Sequence, residues 1–275
     1  MKMFTGVLLF AAALAIPTAA SAGSITIKGS DTMVLLGQRW AEQYMAKVLG
    51  STIQVTGGGS GTGISALING TTDICQASRS MSAAEKTSLR DRYNTPGVEI
   101  PVARDGLSVY VNAANPVKEL NIDQLRLIFT GKITNWKEVG GSDSKIIIYS
   151  RENSSGTYVF FKEHVLKNAD YSQRAQSMPG TAAVVNAVAK EKNGIGYGGA
   201  AYAKGIHVLN IKKDAESPAV EPTLAHVQDG SYPLSRPLFF YIRNKATGDI
   251  KAFIDWVLSS EGQQIVTKVG YFPIK

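Results

Sequence analysis

A short strand joins a helix through a polar turn in the segment Ile25-Thr26-Ile27-Lys28-Gly29-Ser30-Asp31-Thr32-Met33, and this junction indicates the fold class. Apolar residues alternate with polar ones over 25–28, which predicts a half-buried strand. From Met33 the apolar residues recur every three or four positions, which predicts a helix over 33–49. The same alternation of short strands and amphipathic helices continues along the chain and predicts an α/β architecture.

The remaining elements follow from the same patterns. Strands are predicted at 53–55, 73–77, 98–103, 107–112, 146–149, 194–198 and 238–242, and helices at 63–69, 121–129, 182–190, 250–258 and 262–269. Ser82-Ala83-Ala84-Glu85 fits a capping box and predicts a helix start, and another helix is expected near Ser155. Residues 212–235 are polar and are predicted to be mostly loop. Nothing resembling a linker divides the chain, so two lobes would require repeated crossings, for which 107–112 and 238–242 are the candidates.

The N-terminal residues 1–22 have the three parts of a secretory signal peptide: a basic residue, a short apolar stretch and Ala20-Ser21-Ala22. The apolar stretch is too short to span a bilayer as a helix. We expect cleavage after Ala22, with an uncut anchor as the alternative. No cysteine follows the small residues, so we expect no lipid anchor and a periplasmic location.

Composition limits the classes of function. The 275-residue chain has a formal net charge of +7, with Lys and Arg scattered rather than clustered. This balance favours small anions or acidic surfaces, and does not indicate nucleic acid. Cys75 is the only cysteine, so it is predicted to be a buried, inert thiol. The three histidines lie in unrelated contexts, so neither a metal site nor another cofactor is expected.

Three turns share one combination: a strand ends, Gly and hydroxyl residues follow, and a helix starts. They are Gly29-Ser30-Asp31-Thr32-Met33, Gly57-Gly58-Gly59-Ser60-Gly61-Thr62-Gly63 and Arg151-Glu152-Asn153-Ser154-Ser155-Gly156-Thr157. Helix N-termini present unpaired N–H groups to anions, and Ser, Thr and Arg add side-chain donors. Any single turn could be an ordinary helix cap. Three of them, one with Arg151 just ahead of Ser155, together predict an oxyanion site.

The second turn also fits the G-x-G-x-x-A pattern of dinucleotide-binding loops. It lacks the acidic residue about 20 positions further on that would hold a ribose. It is not a Walker loop either, because Ile64 stands where that motif needs lysine. A nucleotide site is therefore disfavoured.

With these motifs the sequence resembles the periplasmic phosphate-binding proteins of high-affinity phosphate ABC transporters, over nearly the whole chain after residue 22. The resemblance includes further segments: 128–136 (IFTGKITNW), 194–197 (GIGY), 232–237 (YPLSRP), 258–263 (LSSEGQ) and 270–273 (GYFP). The Thr-Gly-Lys-Ile-x-Asn-Trp segment and the Arg-x-x-x-Ser-Gly-Thr turn are specific in combination.

The resemblance implies a two-lobed, hinged periplasmic binding protein fold of type II, with the ligand in the cleft. Lobe I would comprise 23–106 and 238–275, and lobe II 107–237. The phosphate-binding set that it implies is Ser30, Thr32, Met33, Ser60, Ser78, Arg79, Asp105, Arg151, Ser155, Gly156 and Thr157. Met33 and Gly156 would act through their backbone N–H groups. The partners implied are inorganic phosphate and a membrane-embedded ABC transporter permease, and a monomer is expected.

The sequence departs from part of the family after Ala77-Ser78, where some members carry an Asp that accepts the phosphate proton. Here Arg79 follows, and an Arg can only donate. We expect Arg79 to supply a second charged fork, or else to form an ion pair. Asp105 is the candidate proton acceptor, with Asp31 as the other possibility, although an Asp before Gly106 could simply form a turn.

Two alternatives remain open at this stage. The same fold could bind another tetrahedral oxyanion, such as sulfate or molybdate. Sulfate carries no proton near neutral pH, so a buried carboxylate would reject it and accept phosphate. A secreted phosphatase is the alternative from another class, but it would need a metal cluster or an activated nucleophile. We expect a binding protein and not an enzyme; a structural protein with an inherited fold is a further possibility.

Overall fold

The computed structural model describes residues 23–274, so the predicted signal peptide lies outside the described residues. The strands are β1 (Ser24–Gly29), β2 (Thr52–Thr56), β3 (Ile74–Ala77), β4 (Val98–Val111), β5 (Glu119–Asn121), β6 (Ile147–Arg151), β7 (Gln176–Met178), β8 (Gly194–Gly199), β9 (His207–Val208), β10 (Asn210–Lys212) and β11 (Ser235–Ile242). The helices are α1 (Asp31–Lys47), α2 (Ser60–Asn69), α3 (Ala83–Tyr93), α4 (Ile122–Phe129), α5 (Gly156–His164), α6 (Thr181–Lys190), α7 (Leu224–Gln228), α8 (Gly248–Leu258) and α9 (Ser260–Val269).

Most predicted elements are confirmed with small shifts of their ends. The capping box is present: the Ser82 hydroxyl accepts from the Glu85 N–H, and the Glu85 carboxylate accepts from the Ser82 N–H. Helix α2 begins at Ser60, earlier than predicted, because Gly61 already lies in the helix, whereas Gly59 caps it with a positive φ of 94°. The short strands β5, β7, β9 and β10 and the five-residue α7 were not predicted.

The largest difference concerns β4, which is one strand and not two segments separated by a turn at Asp105-Gly106. Asp105 is fully buried and faces Arg236 on β11 in the antiparallel register. Because this carboxylate has a charged partner across the strand pair, the extended backbone continues through a dipeptide that usually turns.

Most strands form one curled mixed sheet with the order β2-β1-β3-β11-β4-β8-β6-β7, and β9 also pairs with β4, whereas β5 and β10 form a separate parallel pair. Strand β4 changes partner near its middle: up to Gly106 it pairs with β11, and from Leu107 it pairs with β8. The predicted crossing at 107–112 coincides with this change. The other predicted crossing is wrong, because all of β11 pairs within the first half of the sheet, with β3 and β4.

Separate hydrophobic cores lie on the two sides of this change. On the lobe I side, Trp40 packs edge-on against Phe240, with ring centroids 5.6 Å apart. On the lobe II side, the Tyr197 ring stacks on Phe161 at 4.1 Å. Between residues 23 and 274 no helix has the combination of length and apolarity needed to cross a membrane.

Cys75 lies in β3 and its side chain is fully buried, as the sequence predicts. Burial raises the pKa of this thiol far above its ordinary value, because the thiolate would lose its hydration. The thiol therefore packs as a small apolar group between β3 and α2.

The contact between α2 and β1 depends on Gly63. A Cβ atom at this position would lie 2.5 Å from the Gly29 Cα atom and 2.5 Å from the Lys28 carbonyl oxygen. Both are backbone atoms of β1 and cannot rotate away. The absence of a Cβ atom at Gly63 thus lets α2 approach β1, the strand that leads into α1.

We predict that Gly63→Ala lowers the free energy of unfolding by about 2–3 kcal/mol, since the backbone clash outweighs the roughly 1 kcal/mol that alanine gains in helix propensity. Urea denaturation followed by circular dichroism measures this change. Ser65→Ala, an exposed change on the same helix, is the control and should leave stability within about 0.5 kcal/mol. A Gly63→Ala protein as stable as the wild type would contradict the predicted close approach.

Candidate functional site

The N-termini of α1, α2 and α5 meet the end of β3 at one buried point between the two halves of the sheet. Glycine precedes or opens each of these helices, so the backbones can approach one another closely. Seven predicted site residues converge here, each at most 2% exposed: Ser30, Thr32, Ser60, Ser78, Arg151, Ser155 and Thr157. We call these seven residues the donor cluster.

The lobe I hydroxyls of the cluster form a short chain. The Ser30 hydroxyl donates to Ser78 Oγ at 2.9 Å, and Ser78 Oγ lies 3.3 Å from Ser60 Oγ. The Ser78 backbone N–H donates to Ser60 Oγ at 3.0 Å. The oxygens of Ser60 and Ser78 thus already accept a hydrogen bond from within the protein. Because each hydroxyl has one proton, those of Ser60 and Ser78 remain available to another acceptor.

The lobe II hydroxyls are oriented in the same way. Arg236 Nη2 donates to Thr157 Oγ1 at 2.9 Å, and the Tyr158 N–H donates to Ser155 Oγ at 3.3 Å. Thr157 Oγ1 also lies 2.7 Å from Thr32 Oγ1, which joins the two halves of the cluster. An oxygen-rich anion would therefore meet hydroxyl protons from both sides.

Arg151, the last residue of β6, supplies the positive charge of the cluster. Its Nη1 donates to Thr181 Oγ1 at 3.0 Å and its Nη2 to Asp31 Oδ2 at 2.7 Å. Its Nε is buried and has no hydrogen-bond partner within residues 23–274. A buried guanidinium N–H without a partner is costly, so it marks a place where a ligand acceptor would be favourable.

The closeness of the two halves depends on small residues. A Cβ atom at Gly156 would lie 2.3 Å from Ser60 Oγ, so only glycine fits at the first position of α5. The Gly61 N–H donates across the same gap to the Ser154 carbonyl at 2.9 Å. The start of α5 therefore sits directly against the start of α2, as it would in a closed cleft.

Asp105 is not placed among these donors, contrary to the role expected from the sequence. Its Oδ2 accepts from Arg236 Nε and Nη2 at 3.0 and 2.8 Å, and its Oδ1 accepts from the Ala200 N–H at 3.2 Å. The carboxylate lies behind the cluster and makes its contact with Thr157 only through Arg236. Its charge is already compensated by three hydrogen bonds.

Arg79 is also placed elsewhere, and it forms the ion pair that the sequence left as the alternative. Its Nη1 and Nη2 donate to the two carboxylate oxygens of Glu85 at 2.8 and 2.7 Å. Glu85 lies six residues further on and is fixed by the capping box of α3. Because the Arg79 guanidinium binds this carboxylate, it is directed away from the donor cluster. Burial alone would raise the pKa of Glu85, but the hydrogen bonds from Arg79 and from Ser82 together outweigh it, so the pKa lies below its ordinary value.

The Met33 N–H, another predicted donor, bonds to the Ser30 carbonyl at 2.9 Å and closes the first turn of α1. Sequence reasoning missed Arg236 altogether as a site residue. The available signal was a charged residue directly before an apolar strand, where it would be buried. A cavity of about 480 Å³ borders the cluster through Ser78 and Arg236, and is also lined by Arg79, Phe160 and His164.

The described residues offer no evident metal site: within 23–274, no three His, Cys, Asp or Glu side chains are grouped to hold an ion. Two carboxylates lie near the cluster, and each is paired with an arginine: Asp31 with Arg151, and Asp105 with Arg236. The arrangement can bind an anion through oriented donors.

Comparison with known proteins agrees with this geometry. Residues 15–261 match the model of a PBP superfamily domain. The chain is 34% identical over 269 residues to the phosphate-binding protein PstS of Pseudomonas aeruginosa, covering 92% of this chain and 83% of that protein. It is 37% identical over 256 residues to PstS of Staphylococcus aureus, covering 88% and 76%.

A solved structure gives the same result. The putative phosphate ABC transporter substrate-binding protein of Clostridium perfringens, determined with bound phosphate, superposes with a TM-score of 0.84 at 33% identity. The superposition covers 92% of this chain and all of that one. An ABC-type phosphate transport receptor from Vibrio cholerae superposes at 0.72, with 30% identity, over 90% of this chain and 99% of that one. The chain therefore belongs to the PstS family of phosphate-binding proteins.

Proposed function

We propose that this protein binds inorganic phosphate between its two lobes and delivers it to the membrane-embedded permease of an ABC transporter. The observation that carries the proposal is the donor cluster, in which hydroxyl oxygens already accept hydrogen bonds and so present their protons. Relatives named as phosphate-binding proteins, and a structure with bound phosphate at 33% identity, support the choice of ligand.

The charges near the cluster explain how an anion would be held. Arg151 and Arg236 are each paired with a carboxylate, so the four side chains carry no net charge. A phosphate ion would be stabilised by the hydroxyls, the free Nε–H of Arg151 and the N-termini of α1, α2 and α5. The anion bridges donors from both sides of the cleft, so it favours the closed state and is released when the lobes reopen.

We further propose that Asp31 accepts the proton of hydrogen phosphate. Its carboxylate contacts Arg151 directly and, among residues 23–274, accepts only two hydrogen bonds, from Arg151 and from the Gly58 N–H. A carboxylate has about four acceptor positions, so Asp31 has capacity left. Asp105 accepts three hydrogen bonds and lies behind Arg236, which makes it the weaker candidate.

The remaining parts of the proposal extend the family assignment. Because all of β11 pairs within the first half of the sheet, lobe I would comprise 23–106 and 235–275 and lobe II 107–234, with the hinge near the place where β4 changes partner. The protein would be exported by residues 1–22 and act in the periplasm as a monomer without a lipid anchor. Its role would be binding and release, with no catalytic step.

Another tetrahedral oxyanion is the nearest alternative, because the hydroxyl donors would also suit sulfate or molybdate. Calorimetric titration of ligand-stripped protein with each anion decides between them. We expect one-to-one phosphate binding with sulfate at least about a hundredfold weaker, because a carboxylate facing sulfate would meet only acceptors. Tighter binding of sulfate, or no binding of any oxyanion, would overturn the proposal.

We predict that Arg151→Ala weakens phosphate binding by about 2–4 kcal/mol, roughly 30- to 1000-fold, because it removes the charged donor from the cluster. Isothermal titration calorimetry measures the loss. Arg126→Ala removes a half-buried cation of lobe II that pairs with the exposed Asp123, and it should bind phosphate like the wild type. A loss below tenfold in Arg151→Ala would mean that Arg151 does not contact the anion.

Asp31→Asn tests the proton acceptor. An amide can still accept one hydrogen bond but has no negative charge to repel sulfate. We expect phosphate affinity to fall and sulfate affinity to rise, so that the phosphate-to-sulfate ratio narrows by about tenfold or more. Asp123→Asn, an exposed change, is the control for total charge. An unchanged ratio in Asp31→Asn would assign proton acceptance to another group.

A further inference from the structure

Arg236 occupies the place where three parts of the molecule meet. It lies in β11 opposite Asp105 of β4, just before β4 passes from one half of the sheet to the other. Its side chain is 1% exposed, and its guanidinium lies over the Phe160 ring of α5, 5.2 Å from the centroid. No other buried cation in the described residues contacts both Ser78 and Thr157.

Most of the N–H groups of the Arg236 guanidinium donate hydrogen bonds within the protein. Nε and one Nη2–H bond to Asp105 Oδ2, the second Nη2–H bonds to Thr157 Oγ1, and Nη1 donates to the Ser78 carbonyl at 3.1 Å. Asp105 thus fixes the orientation of the guanidinium, and the guanidinium in turn holds one group from each half of the donor cluster. An arginine presents its donors in a rigid plane, so these contacts are set together.

The contact with Thr157 has a directional consequence. A threonine hydroxyl can donate its proton to an anion, or it can turn and accept from a neighbour such as Thr32, 2.7 Å away. Arg236 donates to one of the two lone pairs of the Thr157 oxygen, so a hydroxyl turned toward the arginine would bring two protons against each other, and the Thr157 proton must point away from it. The arginine therefore favours the orientation in which Thr157 donates.

We propose that Arg236, held by Asp105, is a positioning residue of the anion site. It keeps the Thr157 hydroxyl oriented as a donor when the lobes are closed. It acts on the ligand through Thr157 and not by contact with the anion. The inference rests on the proposed function, since it concerns the same site.

A double-mutant cycle tests this role: Arg236→Lys, Thr157→Val and the double variant are titrated with inorganic phosphate by calorimetry. Lysine keeps the charge beside Asp105 but has no planar fork to hold Ser78 and Thr157 together. We expect each single change to weaken phosphate binding by about tenfold or more, and the double variant to be no weaker than Thr157→Val within about threefold. Arg243→Lys is the matched control: it lies just after β11, donates to the Thr72 carbonyl, and should bind like the wild type.

Other outcomes would overturn the inference. Losses that multiply in the double variant would show that Arg236 acts independently of Thr157, as a direct ligand or through Ser78. Wild-type affinity in Arg236→Lys, with only a lower melting temperature, would show a merely structural role. If Arg236→Lys does not fold, Asp105→Asn combined with Arg236→Gln removes both charges together and takes its place in the cycle.

The proposed function can fail separately. If the wild-type protein does not bind phosphate but binds another oxyanion, phosphate is the wrong ligand, and the same cycle is measured with the anion that binds. A non-additive cycle would then still support the role of Arg236. If no oxyanion binds, both the function and the inference are wrong.

Discussion

The contact between the hydroxyls of Thr32 and Thr157, 2.7 Å apart, depends on nearly every other feature of the fold. The two residues come from opposite halves of the sheet and from the first turns of different helices. They can meet only because Gly156 lets α5 lie against Ser60, and because β4 runs unbroken between the halves. In this arrangement hydroxyl dipoles replace net charge as the means of binding an anion, since the nearby arginines are paired with carboxylates.

The buried pair of Asp105 and Arg236 illustrates why polar groups are retained in such a core. A buried ion pair adds little to stability by itself, because both charges lose their hydration. Here the pair sits just before β4 passes from one half of the sheet to the other, and the remaining donors of Arg236 reach both halves of the cluster. Its role is better described as orientation of the hydroxyls than as a contribution to folding.

The sequence predicted that residues at strand–turn–helix junctions, such as Ser60, Arg151 and Thr157, lie together, because the junction itself orients their side chains. For the second arginine it named Arg79, or else an ion pair of that residue, and did not predict Arg236. Arg79 follows Ser78 directly, yet Glu85 captures it through a local capping box, whereas Arg236 reaches Thr157 across 79 residues of sequence. Pairings of that range depend on the strand order and leave no periodic signal in the chain.

A crystal structure of the protein with bound phosphate would show directly whether the donor cluster itself holds the anion. We predict one phosphate ion within hydrogen-bond distance of Ser60, Thr157 and Arg151 Nε, while Arg236 donates its hydrogen bond to Thr157 and does not contact the ion. A phosphate ion found instead in the neighbouring cavity, in contact with Arg79 and His164, would show that the donor cluster is not the binding site.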